Sequence, residues 1–174
     1  MEFRFETDYN LETLTAMAKG LRKTVRRKRS RRTRIFAGIV LALGLVATVL
    51  TLMSGAPFGA RDVLSVLATV TLVYIGLCED RHNGRIAKRN VLPGTEHSLC
   101  IFGEEGYTVK TSVTESKFSY PQILAICETP RYFVLALSKN QAQAFDKSHM
   151  TGGSLDAFRA FLTAKTEKQI AQIK

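Results

Sequence analysis

No tryptophan occurs in the 174 residues, and the three cysteines, Cys78, Cys100 and Cys127, are too widely spaced to form a Cys-x-x-Cys pair. They read as reduced, mostly buried thiols on the cytosolic side rather than as a disulfide or redox pair. Histidine is scarce as well. His82, His97 and His149 lie far apart, none at metal-ligand spacing with a cysteine or an acid, so each is expected at a surface or an interface. The chain has no P-loop, Gly-x-Ser-x-Gly, His-Glu-x-x-His or Gly-x-Gly-x-x-Gly motif. That removes the common sequence signatures of phosphate cradles, nucleophile elbows, zinc proteases and dinucleotide sites. Gly103-Glu104-Glu105-Gly106 reads as a turn, because two carboxylates would repel an anion and adjacent turn residues point apart into solvent. Ser148 and His149 are adjacent, which is not the geometry of a nucleophile and its base. No enzymatic activity and no cofactor are expected.

Charge is absent from two long stretches. Residues 35–53 are nineteen positions without a charged side chain, and residues 63–78 are sixteen more. As a helix the first reaches about 28 Å, close to the thickness of a hydrocarbon core. The second is about 24 Å and gains length from Phe58, Gly59 and Ala60 if Arg61 snorkels to the headgroups. Between them, Gly55, Pro57 and Gly59 break the helix, and Asp62 is the expected N-cap of the second span. So short a connection forces an antiparallel transmembrane hairpin, 35–53 and 59–78. Neither span carries a group suited to an ion path. Small residues recur at Ala37, Gly38, Ala42 and Ala68, and they read as lipid-facing filler ahead of a helix contact. A cleaved twin-arginine signal, suggested by Ser30-Arg31-Arg32-Thr33-Arg34-Ile35, is disfavoured by the length of the first run and the span that follows it.

Positive charge, by contrast, is concentrated. The formal charge is +10, and ten of the 25 Lys and Arg lie between Lys19 and Arg34; the rest of the chain has 15 basic against 15 acidic residues. The hairpin tip carries Arg61 and Asp62, while both flanks are basic, with Arg81, Arg85, Lys88 and Arg89 on the downstream side. Both termini are therefore expected in the cytosol. Arg26, Arg27, Lys28, Arg29, Arg31, Arg32 and Arg34 are the candidate contacts to anionic lipid headgroups, each contributing about 1 kcal/mol near a charged surface. A nucleic-acid role is not expected, because the apolar run starts one residue past Arg34 and no stacking aromatics interleave the cations.

Residues 2–6 alternate polar and apolar as a strand does, with Phe3 and Phe5 on one face. Asp8 is read as an N-cap, and Leu11, Leu14, Ala18 (with Met17), Leu21 and Val25 fall at helical spacing. That helix is expected to run into the basic block and, with no Gly or Pro after Gly20, on into the first span. Its apolar stripe is free to cover the downstream domain or to lie along the bilayer. Residues 79–92 read as a helical extension out of the membrane, ended by Pro93-Gly94. Short strands are expected over 97–102, 107–113, 114–120, 123–128, 132–137 and 141–145, with 132–137 buried on both faces. Gly152-Gly153-Ser154 introduces a closing helix whose apolar face is Leu155, Phe158, Phe161, Leu162, Ile170 and Ile173. Consecutive strands with such a helix suggest a small antiparallel sheet or barrel. The strand at 2–6 is expected to join it across the membrane insertion.

The order of these segments has a counterpart among known families. The segments Phe118-Ser119-Tyr120-Pro121-Gln122-Ile123, Glu128-Thr129-Pro130-Arg131-Tyr132-Phe133-Val134-Leu135, Lys139-Asn140-Gln141-Ala142 and Leu155-Asp156-Ala157-Phe158-Arg159-Ala160-Phe161-Leu162 follow the strand, basic helix and hairpin. Together they resemble the YcxB-like family of bacterial membrane proteins, whose C-terminal domain is similar to bacterial pleckstrin-homology-like (PH-like) domains. Where that family often shows Trp before the Ile123 strand, this chain has Tyr120. The resemblance implies an α+β fold: a two-helix transmembrane hairpin inserted between an N-terminal strand and helix and a C-terminal antiparallel β-rich PH-like domain closed by a C-terminal helix. Its parts are 1–34, the hairpin 35–78, the extension 79–92 and the cytosolic domain 95–174. It further implies a multi-pass protein of the bacterial inner membrane, non-catalytic, presenting an interaction domain at the inner leaflet. The expected partners are the bilayer with its anionic lipids, and a protein partner or self-association. The alternative is a stress or immunity-type resistance protein acting through its hairpin.

Overall fold

The computed structural model describes residues 2–55 and 59–173, without the side chains of Arg61, Ile75 and Leu77. Ala56, Pro57 and Phe58, the middle of the expected hairpin turn, lie outside the described residues, as does the side chain of Arg61. The fold is mixed α+β. The chain divides into two units: Met1–Arg27 with Asp80–Lys174, and Lys28–Glu79.

The first unit is built on two sheets. Strands β1 (Phe3–Asp8), β2 (His97–Phe102), β3 (Gly106–Lys110), β4 (Glu115–Ser119) and β8 (Met150–Thr151) form one, in the order β4-β3-β2-β1-β8. Strands β5 (Ala125–Glu128), β6 (Tyr132–Ala136), β7 (Ala142–Asp146) and β9 (Ile170–Gln172) form the other, in the order β7-β6-β5-β9. All pairings are antiparallel except β5 with β9. The expected N-terminal strand is present and lies inside its sheet. Phe3 pairs in register with Phe102 and Phe5 with Cys100, and on the other side Phe5 faces Met150. Its strict alternation puts Phe3, Phe5 and Thr7 inward and Arg4, Glu6 and Asp8 outward. The Asp146 amide donates to Thr7 Oγ1 at 3.0 Å, which ties the edge of the second sheet to the first.

Between the sheets sits an aromatic core plugged by helix α4 (Leu155–Thr166). Phe158 is its hub. Its ring centroid lies 4.7 Å from that of Phe5, 4.9 Å from Phe102, 5.1 Å from Phe133 and 5.2 Å from Phe3. Ser154 caps this helix as expected, accepting from the Ala157 amide. The other face of the second sheet is covered by helix α1 (Leu11–Lys23) and the turn after it, with Met17 and Leu21 of the helix and Val25 of the turn against Cys127, Tyr132, Val134 and Ala144. This is why β6 is buried along its whole length. The apolar stripe of α1 therefore covers the domain. Contact is close enough that a β-carbon on Gly20 would stand 2.9 Å from both Cys127 Sγ and Val134 Cγ1.

Several boundaries differ from expectation for local reasons. Asn10, not Asp8, caps α1, its side chain accepting from the amides of Glu12 and Thr13; Asp8 is still paired in β1 and holds His97 at 2.7 Å. The helix does not run unbroken into the first span. It ends at Lys23, and after a turn over 24–26 helix α2 (Arg27–Met53) begins. The Thr24 hydroxyl donates to the Gly20 carbonyl, and the Arg26 amide reaches the Leu21 carbonyl at 2.8 Å, a local alternative to continued helix. Strand β3 stops at Lys110 because Thr111 to Thr114 closes on itself, the Thr114 amide donating to Thr111 Oγ1 at 3.0 Å. The segment at Ile123 enters β5 only from Ala125, after a 3-10 turn that Pro121 starts. Ile170 and Ile173 do not extend α4. Glu167 adopts a left-handed conformation, φ 56°, which ends the helix and turns the chain into β9.

In the second unit, α2 is followed by helix α3, which as a whole spans Ala60–Arg89 and so includes the expected extension. Asp62 is not the N-cap. Gly59 precedes the helix, and Asp62, one turn inside, accepts from the Gly59 amide at 3.0 Å, half of a capping box. The two helices meet at Gly44, where a β-carbon would stand 3.3 Å from Thr69 Oγ1 and 3.6 Å from Ser65 Oγ; Gly38 faces open space. Among the described residues one helix, Arg27–Met53, is by itself long and apolar enough to cross a membrane, and none of its apolar window is buried. The second helix qualifies only as a broken pair, Asp62–Tyr74 with Cys78–Arg89.

Candidate functional site

The basic block occupies the first two turns of α2. Arg27, Lys28, Arg29, Arg31, Arg32 and Arg34 are exposed. At 100° per residue they spread around most of the helix rather than along one face. The first turn holds no acid. Cations at a helix N-terminus oppose the macrodipole, each by roughly 0.3–1 kcal/mol. The block therefore weakens the helix it starts, and a local anion would relieve it. Arg26 is placed differently from its neighbours. Its Nε donates to the Lys139 carbonyl at 2.6 Å and its Nη2 to Asn140 Oδ1 at 2.7 Å, so it fastens the end of α1 to the β6–β7 turn.

Within the first unit, α1 and the β5–β6 turn form the walls of a cavity of about 590 Å³. Leu11, Ala16, Pro130 and Tyr132 give it apolar walls, and Arg81, on the last part of α3, also lines it. The cavity sits where it does for two reasons. Gly84 lets α3 approach α1 so closely that a β-carbon there would lie 2.5 Å from Thr15 Oγ1. Thr129 holds the turn, its hydroxyl donating to the Tyr132 carbonyl at 3.1 Å and accepting from the Tyr132 amide at 2.9 Å. Arg131 is neutralised, with Nη1 on Glu12 at 2.8 Å and Nη2 on Asp146 at 3.1 Å. Lys19 and Arg81 also line the cavity, and among the described residues neither side chain has a hydrogen-bond or ion-pair partner.

Beneath the turn lies a buried charge cluster that the sequence did not flag. Glu128 is 2 % exposed. Its carboxylate accepts from Lys147, from Arg159 Nη2 at 2.6 Å and Nε at 2.9 Å, and from Gln172 Nε2 at 2.8 Å. Burial alone would raise its pKa, but these donors more than offset burial and hold it at about 2. Asp146 is similarly held below its ordinary value: burial opposes ionisation, and Ser148 and Arg131 overcome it. The one sequence signal for Glu128 is its place at the end of an apolar strand, where a charge requires partners.

The remaining residues weighed from the sequence fall into structural places. Glu104 pairs with Lys165 at 2.6 Å on the β2–β3 turn. Ser148 Oγ donates to Asp146 Oδ1 at 2.6 Å. Tyr120, standing where a Trp was the pattern, is buried and donates to the carbonyls of Gly103 at 2.6 Å and Gly106 at 3.2 Å, which locks the β2–β3 turn. Burial raises the thiol pKa of both Cys100 and Cys127, the latter to about 12, so neither is a ready nucleophile.

No curated protein and no solved structure matches the chain. Residues 102–162, from the end of β2 into α4, match the family described as YcxB-like protein. That stretch is roughly a third of the chain and holds Glu128, Lys147, Arg159 and the Lys139-Asn140 turn, and the match supports the YcxB-like family.

Proposed function

We propose that this chain is an integral protein of the bacterial inner membrane, with both termini cytosolic, that presents a non-catalytic PH-like interaction domain at the inner leaflet. One observation carries the reading. Residues on either side of the hairpin, Met1–Arg27 and Asp80–Lys174, belong to one folded unit. Both ends of Lys28–Glu79 must then lie on the same side of any membrane, so the segment crosses an even number of times. Once α2 crosses, α3 has to return, even though α3 is the weaker span by composition. The surface agrees with immersion in lipid. Phe36, Leu43, Leu50, Met53 and Leu64 are each at least 61 % exposed. So large a contiguous apolar surface is rarely left to water. The cations at the head of α2 supply a positive-inside signal and contacts for anionic headgroups.

The PH-like reading is supported by two sheets closing on a C-terminal helix. A non-catalytic role is supported by the state of the buried acids. Glu128 and Asp146 are held ionised by donors that occupy their oxygens, which suits neither an acid nor a base at neutral pH.

Impermeant maleimide labelling in intact cells tests the topology. Cys100 and Cys127 are 1 % exposed and would be silent on either side, so reporters belong elsewhere. In a Cys78→Ser background, Ser54→Cys is expected to react from outside and Glu105→Cys only after permeabilisation. Reaction of Glu105→Cys in intact cells would overturn the proposal. Exchanging the hairpin for unrelated spans discriminates between an anchored domain, which keeps function, and a hairpin-centred resistance protein, which loses it.

A further inference from the structure

We infer that the cavity between α1 and the β5–β6 turn binds the headgroup and adjoining chain of an anionic membrane phospholipid. The inference rests on the proposed membrane anchoring and names a ligand for the domain. Three features point to this occupant. The first is shape and polarity. At about 590 Å³ the cavity falls in the size range of small-molecule sites, and its walls are Leu11, Ala16, Pro130 and Tyr132. An apolar surface of this kind suits a hydrocarbon chain.

The second is charge. Glu12, the one acid in the lining, is engaged by Arg131, which also holds Asp146. That leaves Lys19 and Arg81 as the cations without partners among the described residues lining the cavity. Two uncompensated cations beside an apolar wall match an amphipathic anion. They do not match a neutral lipid or a cationic peptide. Lys19 comes from α1 and Arg81 from α3, so a phosphate between them would tie the two helices together.

The third is position in the chain. Arg81 is three residues beyond Cys78, where the second apolar run ends. In a membrane-anchored chain that places one wall of the cavity at the depth where headgroups are found. An amphipathic anion is most concentrated there as phospholipid. None of the basic residues at the head of α2 lines this pocket. Those cations are exposed and offer a diffuse, exchangeable contact.

Native mass spectrometry of the full-length protein released from detergent tests the assignment, with phosphatidylglycerol or phosphatidylcholine titrated in. The wild type is expected to retain one phosphatidylglycerol in preference to phosphatidylcholine. Lys19→Gln with Arg81→Gln is expected to lower the affinity for phosphatidylglycerol about thirtyfold, the effect of two surface cations. Arg27→Gln, Lys28→Gln and Arg29→Gln together are expected to leave that single tight site in place. Retention unchanged in the Lys19/Arg81 variant, or lost only in the α2 variant, would overturn the inference. So would displacement of bound phosphatidylglycerol by an acidic amphipathic peptide that binds more tightly, which would assign the cavity to a protein partner. Binding is read in detergent and topology in cells, so failure here and failure of the anchoring proposal are separate results.

Discussion

Replacing Glu128 by Ala removes the one acceptor shared by Lys147, Arg159 and Gln172. The acid and its three donors come from four places in the chain: β5 carries the acid, the segment after β7 the lysine, α4 the arginine and β9 the glutamine. The acid is 2 % exposed, and the Lys147 side chain is only 11 % exposed. Truncation leaves a nearly buried ammonium without its counter-charge, a loss of about 3–5 kcal/mol. The pKa gives an independent figure. A carboxyl lowered from 4.5 to about 2 is stabilised in its ionised form by roughly 3 kcal/mol at 1.36 kcal/mol per unit. The folded-state pKa is depressed, so this stability is fully present above about pH 4.5 and is lost as pH falls towards 2. With no tryptophan in the chain, the tyrosine near-ultraviolet circular dichroism of the full-length protein in detergent is the natural probe. Tyr107, Tyr120 and Tyr132 are all buried in the domain. At about 4 °C per kcal/mol for a unit of this size, Glu128→Ala should melt roughly 12–20 °C below the parent at pH 7. It should also lack most of the parent's loss of stability between pH 4.5 and 2. A melting point within about 3 °C of the parent, with an unchanged acid limb, would refute the reasoning.

The other predictions concern the packing of the N-terminal segment and the lipid contact. Phe3→Ser with Phe5→Ser, at positions 1 % and 0 % exposed, should cost at least the roughly 3–5 kcal/mol of a single core Phe truncation, read in the same melt. Gly20→Ala, which on an isolated helix stabilises by about 1 kcal/mol, should here destabilise by about 1–3 kcal/mol and expose Cys127 to thiol reagents, because the added methyl meets Cys127 and Val134. Vesicle binding by a peptide of residues 1–34 should fall with Arg27→Gln, Lys28→Gln and Arg29→Gln by about 3 kcal/mol at low salt. Equal binding to neutral and anionic vesicles would remove the lipid contact from α2.

What was legible in the sequence follows from how local each signal is. Phe3 and Phe5 announced a strand because period-2 burial on one face needs only neighbouring residues, and β2 was placed at 97–102 by the turn signals that bound it, Pro93-Gly94 and Gly103 to Gly106. Ser154 was found as a cap because its partner, the Ala157 amide, is three residues away. Asp8 was misread because Asn10 offers the same chemistry two residues later, and composition does not rank them. Ile170 and Ile173 were assigned to a helix because their spacing suits one. Their actual partners, Ile126 in β5 and the Glu128 carbonyl, are more than forty residues distant. The cavity could not be read at all. It depends on Gly84 bringing Arg81 to α1, a contact between segments separated by the whole insertion. Glu128 shows the same limit, since nothing near it in sequence reveals Lys147, Arg159 or Gln172.

The placement of β1 turns the membrane reading into a constraint on folding. It lies between β2 and β8, so the first sheet is incomplete until residues before the insertion meet residues after it. Arg22 holds Asp80, the first residue of the returning segment, at the closure point. An even number of crossings satisfies this and an odd number forbids it. Replacing residues 60–78 with a polar linker leaves α2 as a single span and puts β1 and β2 on opposite sides of the bilayer. That variant should lose the domain's protease resistance and its tyrosine dichroism, since Phe3 and Phe5 would be missing from the core around Phe158. Replacing all of residues 28–79 with a flexible linker of about twelve residues, roughly 20 Å in root-mean-square reach, should restore both in a protein that no longer sediments with membranes. If the single-span variant keeps a fully melting domain, then α2 does not cross, and Lys28–Glu79 is not a membrane hairpin. If neither variant folds, the hairpin supplies part of the domain's stability, and β1 alone does not close the sheet.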